Sequence, residues 1–211
     1  LAAVKKSTPS LAHSGQTFTE MWQEGTLTDE AAEGFTRTMH STIFAPSQGA
    51  SESGVFKSRN RILDVGGGSG AFSISLALSN PIISATIFEL PAVCKIAEKY
   101  INNFGLTNRV NSISGNFFKT TWPVGYDGIV FSNILHDWSF EKCRFLLNSA
   151  FNALESGGKV FIHEMILDDL KNGPLTTACF DLLMFINHGS QQFTKNELFE
   201  LLETAGFVQF E

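Results

Sequence analysis

Cysteine is scarce in this chain. Cys94, Cys143 and Cys179 are its three, far apart and without metal-ligand spacing. A disulfide-stapled scaffold and a zinc ribbon are therefore not expected, and no metal is assigned. Each cysteine is flanked by apolar residues and reads as a buried free thiol in a reducing, cytoplasmic compartment. Basic charge is also short: 15 Lys and Arg stand against 21 Asp and Glu, a net charge of −6. That balance argues against nucleic acid or an anionic membrane surface as a partner. No apolar run is long enough to span a bilayer and no secretory leader is evident, so membrane insertion is not expected. Tyrosine is rare, 2 against 20 Phe. There is no internal repeat and no low-complexity tract. The chain opens on Leu1 rather than Met, so it is expected to be a fragment or a processed form. What is present, 211 residues of which 43% are hydrophobic, suits one domain with a sizeable core.

Residues 61–90 organise the rest. Residues 61–65 read as a short buried strand. Gly66, Gly67, Gly68 and Gly70 follow at once, allowing a tight turn and close approach of a ligand to the backbone. Residues 71–78 then read as a helix, and a second apolar run, 82–88, ends in Glu89. Strand, glycine turn, helix, strand and terminal acid form the nucleotide-binding half of a doubly wound α/β fold, with the acid able to accept from ribose hydroxyls. The spacing is G-x-G-x-G, which departs from the dinucleotide fingerprint. Asp64 sits inside the first strand, where a buried acid needs a partner and a cationic ligand would supply one.

Before this stretch, residues 1–13 read as partly helical, 19–22 and 29–39 as short helices, the second capped by Thr28 or Asp29, and 47–58 as a Ser- and Gly-rich loop. After it, helices are expected at 91–104, 139–154, 175–188 and 194–205, and strands at 109–114, 126–132 and 159–166. Residues 156–158, Ser-Gly-Gly, are read as closing the helix before them, and 207–210 as beginning another strand. The alternation implies a parallel sheet covered on both faces. Ligands of such sheets bind beyond the carboxyl ends of the strands. That rule points to the glycine turn, Glu89, Asn116 and Phe117, residues 133–138 and residues 163–165.

The sequence DVGGGSG at 64–70, followed by FELP at 88–91, resembles the first motif and next strand end of S-adenosyl-L-methionine-dependent small-molecule O-methyltransferases of the plant caffeate and acetylserotonin type. LHDW at 135–138, Glu164 at a strand end, GPL at 173–175 and AGF at 205–207 follow in the order and spacing of that family. The resemblance covers about residues 60–211, with a weaker match over 19–45. It implies a Rossmann-like class I methyltransferase fold, doubly wound and mostly parallel, truncated after the sixth strand. Residues 1–60 would be a helical and loop lead-in contributing to the substrate pocket, and 61–211 the S-adenosyl-L-methionine-binding catalytic domain. The family's N-terminal winged-helix dimerisation domain and final β-hairpin are missing, so a homodimer would form through a region absent from this chain.

The resemblance also implies roles. His136 would be the general base, suited by a pKa near neutrality. Glu164 would accept from its other ring nitrogen, fixing the tautomer as the acid of a hydrolase triad does. Asp137 would bond cofactor or backbone, or cap the following helix. The cofactor, S-adenosyl-L-methionine, would be held by Asp64, Gly66, Gly68, Glu89, Leu90, Asn116, Phe117, Asn133 and Trp138. Asn116 stands where the family carries an acid on the adenine amine. Met39, His40, Met184, Asn187, His188 and Gln192 would line the acceptor pocket. In NHGSQQFT at 187–194, Gln192 replaces a second carboxylate that flanks the histidine in the family, and Phe193 replaces an Arg. The expected reaction is methyl transfer to a hydroxyl of a small, aromatic or apolar molecule, without a metal. An N- or C-methyltransferase of the same fold, a non-catalytic cofactor-binding domain and a nicotinamide oxidoreductase remain open alternatives at this point.

Overall fold

The computed structural model describes residues 17–211, and the helix expected over 1–13 lies outside them. The chain divides into two compact units that interleave in sequence. One comprises residues 27–132 and 153–163, and the other residues up to 26, 133–152 and 164–211.

The first unit holds the sheet. Its strands are β1 (Arg61–Val65), β2 (Ser84–Glu89), β3 (Val110–Ser114), β4 (Tyr126–Ser132) and β5 (Leu154–His163), in the order β3-β2-β1-β4-β5. All pairings are parallel. In β1 the four residues after exposed Arg61 are all buried, as a central strand of a sheet covered on both faces requires. The strand order reverses beside β1, so the end of β1 is a switch point where ligands of such sheets bind.

Three helices belong to this unit: α2 (Asp29–Glu52), α3 (Ala71–Ser79) and α4 (Pro91–Asn103). Beneath them lie Ile62, Ala85 and Val130 of the strands with Phe72 and Leu76 of α3, and Ile87 and Val110 with Ala97 and Ile101 of α4. On the opposite sheet face Trp122 packs edge-on to Phe88, with ring centroids 5.9 Å apart, and at 6.2 Å from Phe131. Thr28 caps α2 by accepting from Ala31 N at 3.2 Å.

Three sequence expectations are corrected here. The helix expected to end at residue 39 runs on through Glu52, across the segment read as a loop. Ser47 and Ser51 are buried, and their hydroxyls donate to the Ile43 and Ser47 carbonyls at 2.8 and 2.6 Å, so small side chains that favour turns in isolation are absorbed by packing. Residues 156–158 do not stop a helix. They lie inside β5, where Tyr126 pairs with Leu154 and Gly128 with Lys159, and the irregularity between the two pairings is spanned with Gly157 at φ 77°. Residues 207–210 form no strand. Phe207 packs on Phe151 at 5.3 Å, Phe210 stacks on Phe199 at 4.9 Å, and Gln209 at φ 62° breaks the extended course.

The second unit contains α1 (Phe18–Glu24), a 3-10 turn (Leu135–Asp137), α5 (Phe140–Ala153, of which the last residue falls in the first unit), α6 (Leu175–His188) and α7 (Lys195–Thr204). Thr17 and Thr194 close reciprocal capping boxes with Glu20 and Glu197. Cys94 and Cys143 are buried as expected, but Cys179 is exposed. Helix α6 exposes Leu175, Leu182 and Leu183, so apolar flanking residues do not reveal its inner face. No helix among the described residues is long and apolar enough to cross a membrane.

Gly128 tests how tightly the central strands are packed. A Cβ there would lie 2.5 Å from Ile62 Cδ1 and 3.2 Å from Phe161 Cε2. Gly128→Val is expected to lower unfolding free energy by about 1–3 kcal/mol, the usual cost of overpacking. Urea denaturation measures it, and an unchanged midpoint would show that the space is not needed.

Candidate active site

In the sheet unit the glycine turn leaves β1 directly. Gly66 N donates to Phe88 O at 2.9 Å, tying the turn to β2. Two glycines have distinct reasons to lack a side chain. A Cβ on Gly67 would lie 2.6 Å from the Asp64 carboxylate, whereas Gly68, at φ 55°, has nothing within 4 Å and faces open space. Asp64 is fully buried; Ser73 Oγ donates to its Oδ2 at 2.7 Å, and its Oδ1 has no partner among the described residues. Burial pushes the Asp64 carboxyl up to about 6, against the lowering effect of the Ser73 bonds. Glu89 is also buried at the end of β2 and accepts from Leu90 N at 2.6 Å.

Asn116 Oδ1 accepts from Phe118 N at 3.0 Å, a local turn that fixes the exit of β3. Phe117 is buried, 4.9 Å from the Phe118 ring, and its carbonyl accepts from Trp122 Nε1 at 2.8 Å. The Met39 carbonyl accepts from Thr42 Oγ1 at 3.0 Å. His40 is engaged at the glycine turn: its Nδ1 is 2.8 Å from Ser69 Oγ and its ring stacks on Tyr100 at 3.8 Å. Burial holds its pKa below the ordinary histidine value.

The second unit carries the other cluster. His136 lies in the 3-10 turn, 5% exposed. Its Nδ1 is 2.6 Å from Glu164 Oε2, while Glu164 Oε1 accepts from Ile134 N and Leu135 N, each at 2.9 Å. Nε2 is 3.7 Å from Asp137 Oδ1, beyond hydrogen-bond reach. Burial alone would push the His136 pKa down. The carboxylates of Glu164 and Asp137 outweigh it and carry the value to about 9. Burial raises the Asp137 carboxyl, with His136 and then His188 pulling the other way. Asp137 does not cap α5; Lys142 N points to Ser139 Oγ at 3.4 Å instead. Cys143 Sγ donates to Leu135 O at 3.2 Å, and burial together with Glu164 and Asp137 pushes its thiol up to about 12.

Around His136, the Phe180 ring of α6 meets the imidazole edge-on at 5.8 Å. Met184 is buried one turn further along, and Asn187 is exposed. Gln192 is wholly buried, and its backbone N donates to Asp181 Oδ1 at 2.6 Å. Burial lowers the His188 pKa. Asn133 adopts φ 54°, and the buried Trp138 carries Lys142 Nζ over its ring at 5.1 Å. Sequence reasoning did not find Ser73, Ser69, Phe180 or Asp181. Each is an ordinary helix or turn residue in the sequence, and only the fold brings it to its partner. No group of three or more His, Cys, Asp and Glu among the described residues is arranged to hold a metal.

The glycine turn fits a ligand with a cationic end and hydroxyls. A buried carboxylate with one unpartnered oxygen, a second buried acid on the next strand and the open space at Gly68 are what such a ligand requires.

A family model described as an O-methyltransferase domain matches residues 3–208. The chain is 38% identical over 189 residues to the 3-hydroxy-5-methyl-1-naphthoate 3-O-methyltransferase of Streptomyces sahachiroi, covering 88% of this chain and 53% of that protein. It therefore spans about half the length of this curated relative. Among solved structures, human N-acetylserotonin methyltransferase in complex with SAM superposes with a TM-score of 0.88 at 24% identity, covering 100% of this chain and 60% of that one. The O-methyltransferase NcsB1 from neocarzinostatin biosynthesis, in complex with S-adenosyl-L-homocysteine and 1,4-dihydroxy-2-naphthoic acid, superposes with a TM-score of 0.84 at 25% identity, covering 97% of this chain and 60% of that one.

Asp64 yields a stability test. Its folded pKa of about 6 lies above the ordinary 3.8, so the stability present below 3.8 is lost as pH rises through about 6. Asp64→Asn removes that loss. At pH 7 the ligand-free variant is expected to be more stable by roughly 2–3 kcal/mol, with the advantage vanishing below pH 4 or so. Denaturation of both proteins across this range measures it; equal stability at pH 7 would show that the acid is not penalised.

Proposed function

The chain belongs to the O-methyltransferase domain family, and from that premise we propose that it transfers a methyl group from S-adenosyl-L-methionine to the hydroxyl of a small aromatic acceptor, with His136 as general base. The observation that carries this reading is the pairing of His136 Nδ1 with Glu164 Oε2 at 2.6 Å, which leaves Nε2 as the atom that takes the proton. Glu164 orients the ring, and with Asp137 it stabilises the imidazolium that forms. Asp64 and Glu89 would hold the charged end and the ribose of the cofactor, with Gly68 allowing close approach of its backbone. When bound, S-adenosyl-L-methionine supplies an electrophilic methyl group. The chain's own residues need only bind, orient and remove one proton. An aromatic acceptor is favoured by the naphthoate-methylating relative and by the apolar side chains Phe180 and Met184 near the base.

A pKa of about 9 for His136 means that the ligand-free chain holds it mainly as imidazolium at neutral pH. Roughly one part in a hundred is then the free base at pH 7. In the intact protein, turnover should rise with pH along a limb centred near 9. Glu164→Gln removes an anion from the ring, so the limb should move to lower pH while the maximal rate falls. His136→Ala should lower turnover by about 10²–10⁴-fold with S-adenosylhomocysteine affinity retained in calorimetry. Undiminished methylation of a phenol by His136→Ala would overturn the base assignment.

A further inference from the structure

Three consecutive residues of the second unit carry polar atoms that the fold buries without satisfying. Ser190 Oγ, Gln191 Nε2 and both Oε1 and Nε2 of Gln192 have no hydrogen-bond partner among the described residues. Buried polar groups are bonded in the great majority of cases, and an unsatisfied one is costly. Slack in the loop does not account for them. Gln192 N donates to Asp181 Oδ1 at 2.6 Å, and Gln191 N donates to His136 O at 3.3 Å. Phe193, 1% exposed, packs edge-on to Phe140 at 5.3 Å, and Thr194 caps α7. The backbone is held on both sides while the side-chain amide of Gln192 has no partner among the described residues.

This segment lies beside the base. Phe180 meets the His136 ring, and the next residue, Asp181, holds the backbone of Gln192. We infer that Ser190, Gln191 and Gln192 form a polar subsite for a hydrogen-bond-accepting oxygen, a carbonyl or carboxylate, that the acceptor carries near its reacting hydroxyl. The inference rests on the reading of His136 as the base for that hydroxyl. Donors predominate in the set: a hydroxyl and two amide NH₂ groups stand against one amide oxygen. They match the lone pairs of an oxo group, and being uncharged they leave the His136–Glu164 pair undisturbed. A carboxylate at position 192 would add a further anion to Glu164, Asp137 and Asp181 and would repel an acidic acceptor.

The test compares three probes in the intact protein: 3-hydroxy-2-naphthoic acid, its neutral amide and 2-naphthol, which lacks the oxo group. The oxo-bearing probes should be preferred in kcat/KM. Gln192→Leu should cut that preference by about 10–100-fold, the size expected for a lost hydrogen bond to a buried polar or charged group. The anionic and neutral probes show whether charge matters as well as bonding. Calorimetry on protein saturated with S-adenosylhomocysteine gives a readout independent of chemistry. The binding preference for the oxo-bearing probes over 2-naphthol should fall by the same factor. If Gln192→Leu does not fold, judged by loss of S-adenosylhomocysteine binding, Gln192→Asn, which retracts the amide by one methylene, should move the preference in the same direction. A preference unchanged within twofold, or a wild-type protein that binds none of the probes, overturns the subsite. A Gln192-dependent binding preference without methyl product upholds the subsite and overturns the methyl-transfer reading instead.

Discussion

The carboxylate of Glu164 meets two demands with its two oxygens. A 3-10 turn of three residues has few internal hydrogen bonds to hold it, and its first N–H groups point outward without partners. Glu164 Oε1 takes two of them, from Ile134 and Leu135, and its charge suits the positive end of the turn. Oε2 takes the ring nitrogen of His136. The backbone around His136 and the orientation of its ring are therefore fixed by one group, so neither can shift without the other. The same anion supplies the largest upward push on the His136 pKa, overcoming a burial that would otherwise keep the ring neutral. Structure and basicity here are one interaction.

The sheet unit handles buried charge in the opposite way. Asp64 has a single hydroxyl partner and a second oxygen with none among the described residues, and burial pushes its carboxyl up further than the Ser73 bonds pull it down. An acid left in that condition is expected to weaken the free fold, and in the function proposed here a bound cation would compensate it. Stability and ligand affinity are thus opposed at this residue, a common arrangement where a site must be ready for a charged molecule. At Glu164 the compensation is internal, from His136 and two backbone N–H groups, while at Asp64 the described residues supply only Ser73.

Much of this was legible in the sequence, and the reasons differ by element. The limits of β4 and α6 are those expected, because β4 is built on the apolar triplet 129–131 and α6 lies between Pro174 and Gly189. The sequence singles out the glycine turn, Glu89, His136 and Glu164 as candidates because strand ends in a parallel sheet collect ligand groups and because the resemblance names them. The failures share a cause. Ser47 and Ser51 prefer turns alone, yet are carried into α2 by burial; Gly157 reads as a stop, yet lets β5 begin early. Cys179 lies on a helix that also exposes leucines, where apolar neighbours do not mark the inner face. Phe207 and Phe210 were taken up by Phe151 and Phe199 in place of a neighbouring strand. In each case long-range packing decided, and local pattern carried no trace of it. The amide of Gln192, without a partner among the described residues, belongs to the same class, since a missing hydrogen bond has no signature in a string of residues.

Cys143 shows what the acidic surroundings of His136 do to a second nucleophile. A thiolate is a far better nucleophile toward an activated methyl group than a phenol, so if the proposed methyl transfer takes place beside His136, an ionisable sulfur there would be a hazard to the protein itself. Here burial first, and then the two carboxylates that make His136 basic, hold the Cys143 proton in place, and the Leu135 carbonyl accepts from the thiol. One local field therefore sorts the two side chains by the charge each would acquire. The imidazole, which becomes positive, is helped to take a proton, and the thiol, which would become negative, is kept from losing one. The arrangement is a form of chemical immunity: the carboxylates that favour a charged imidazole also help to silence the sulfur.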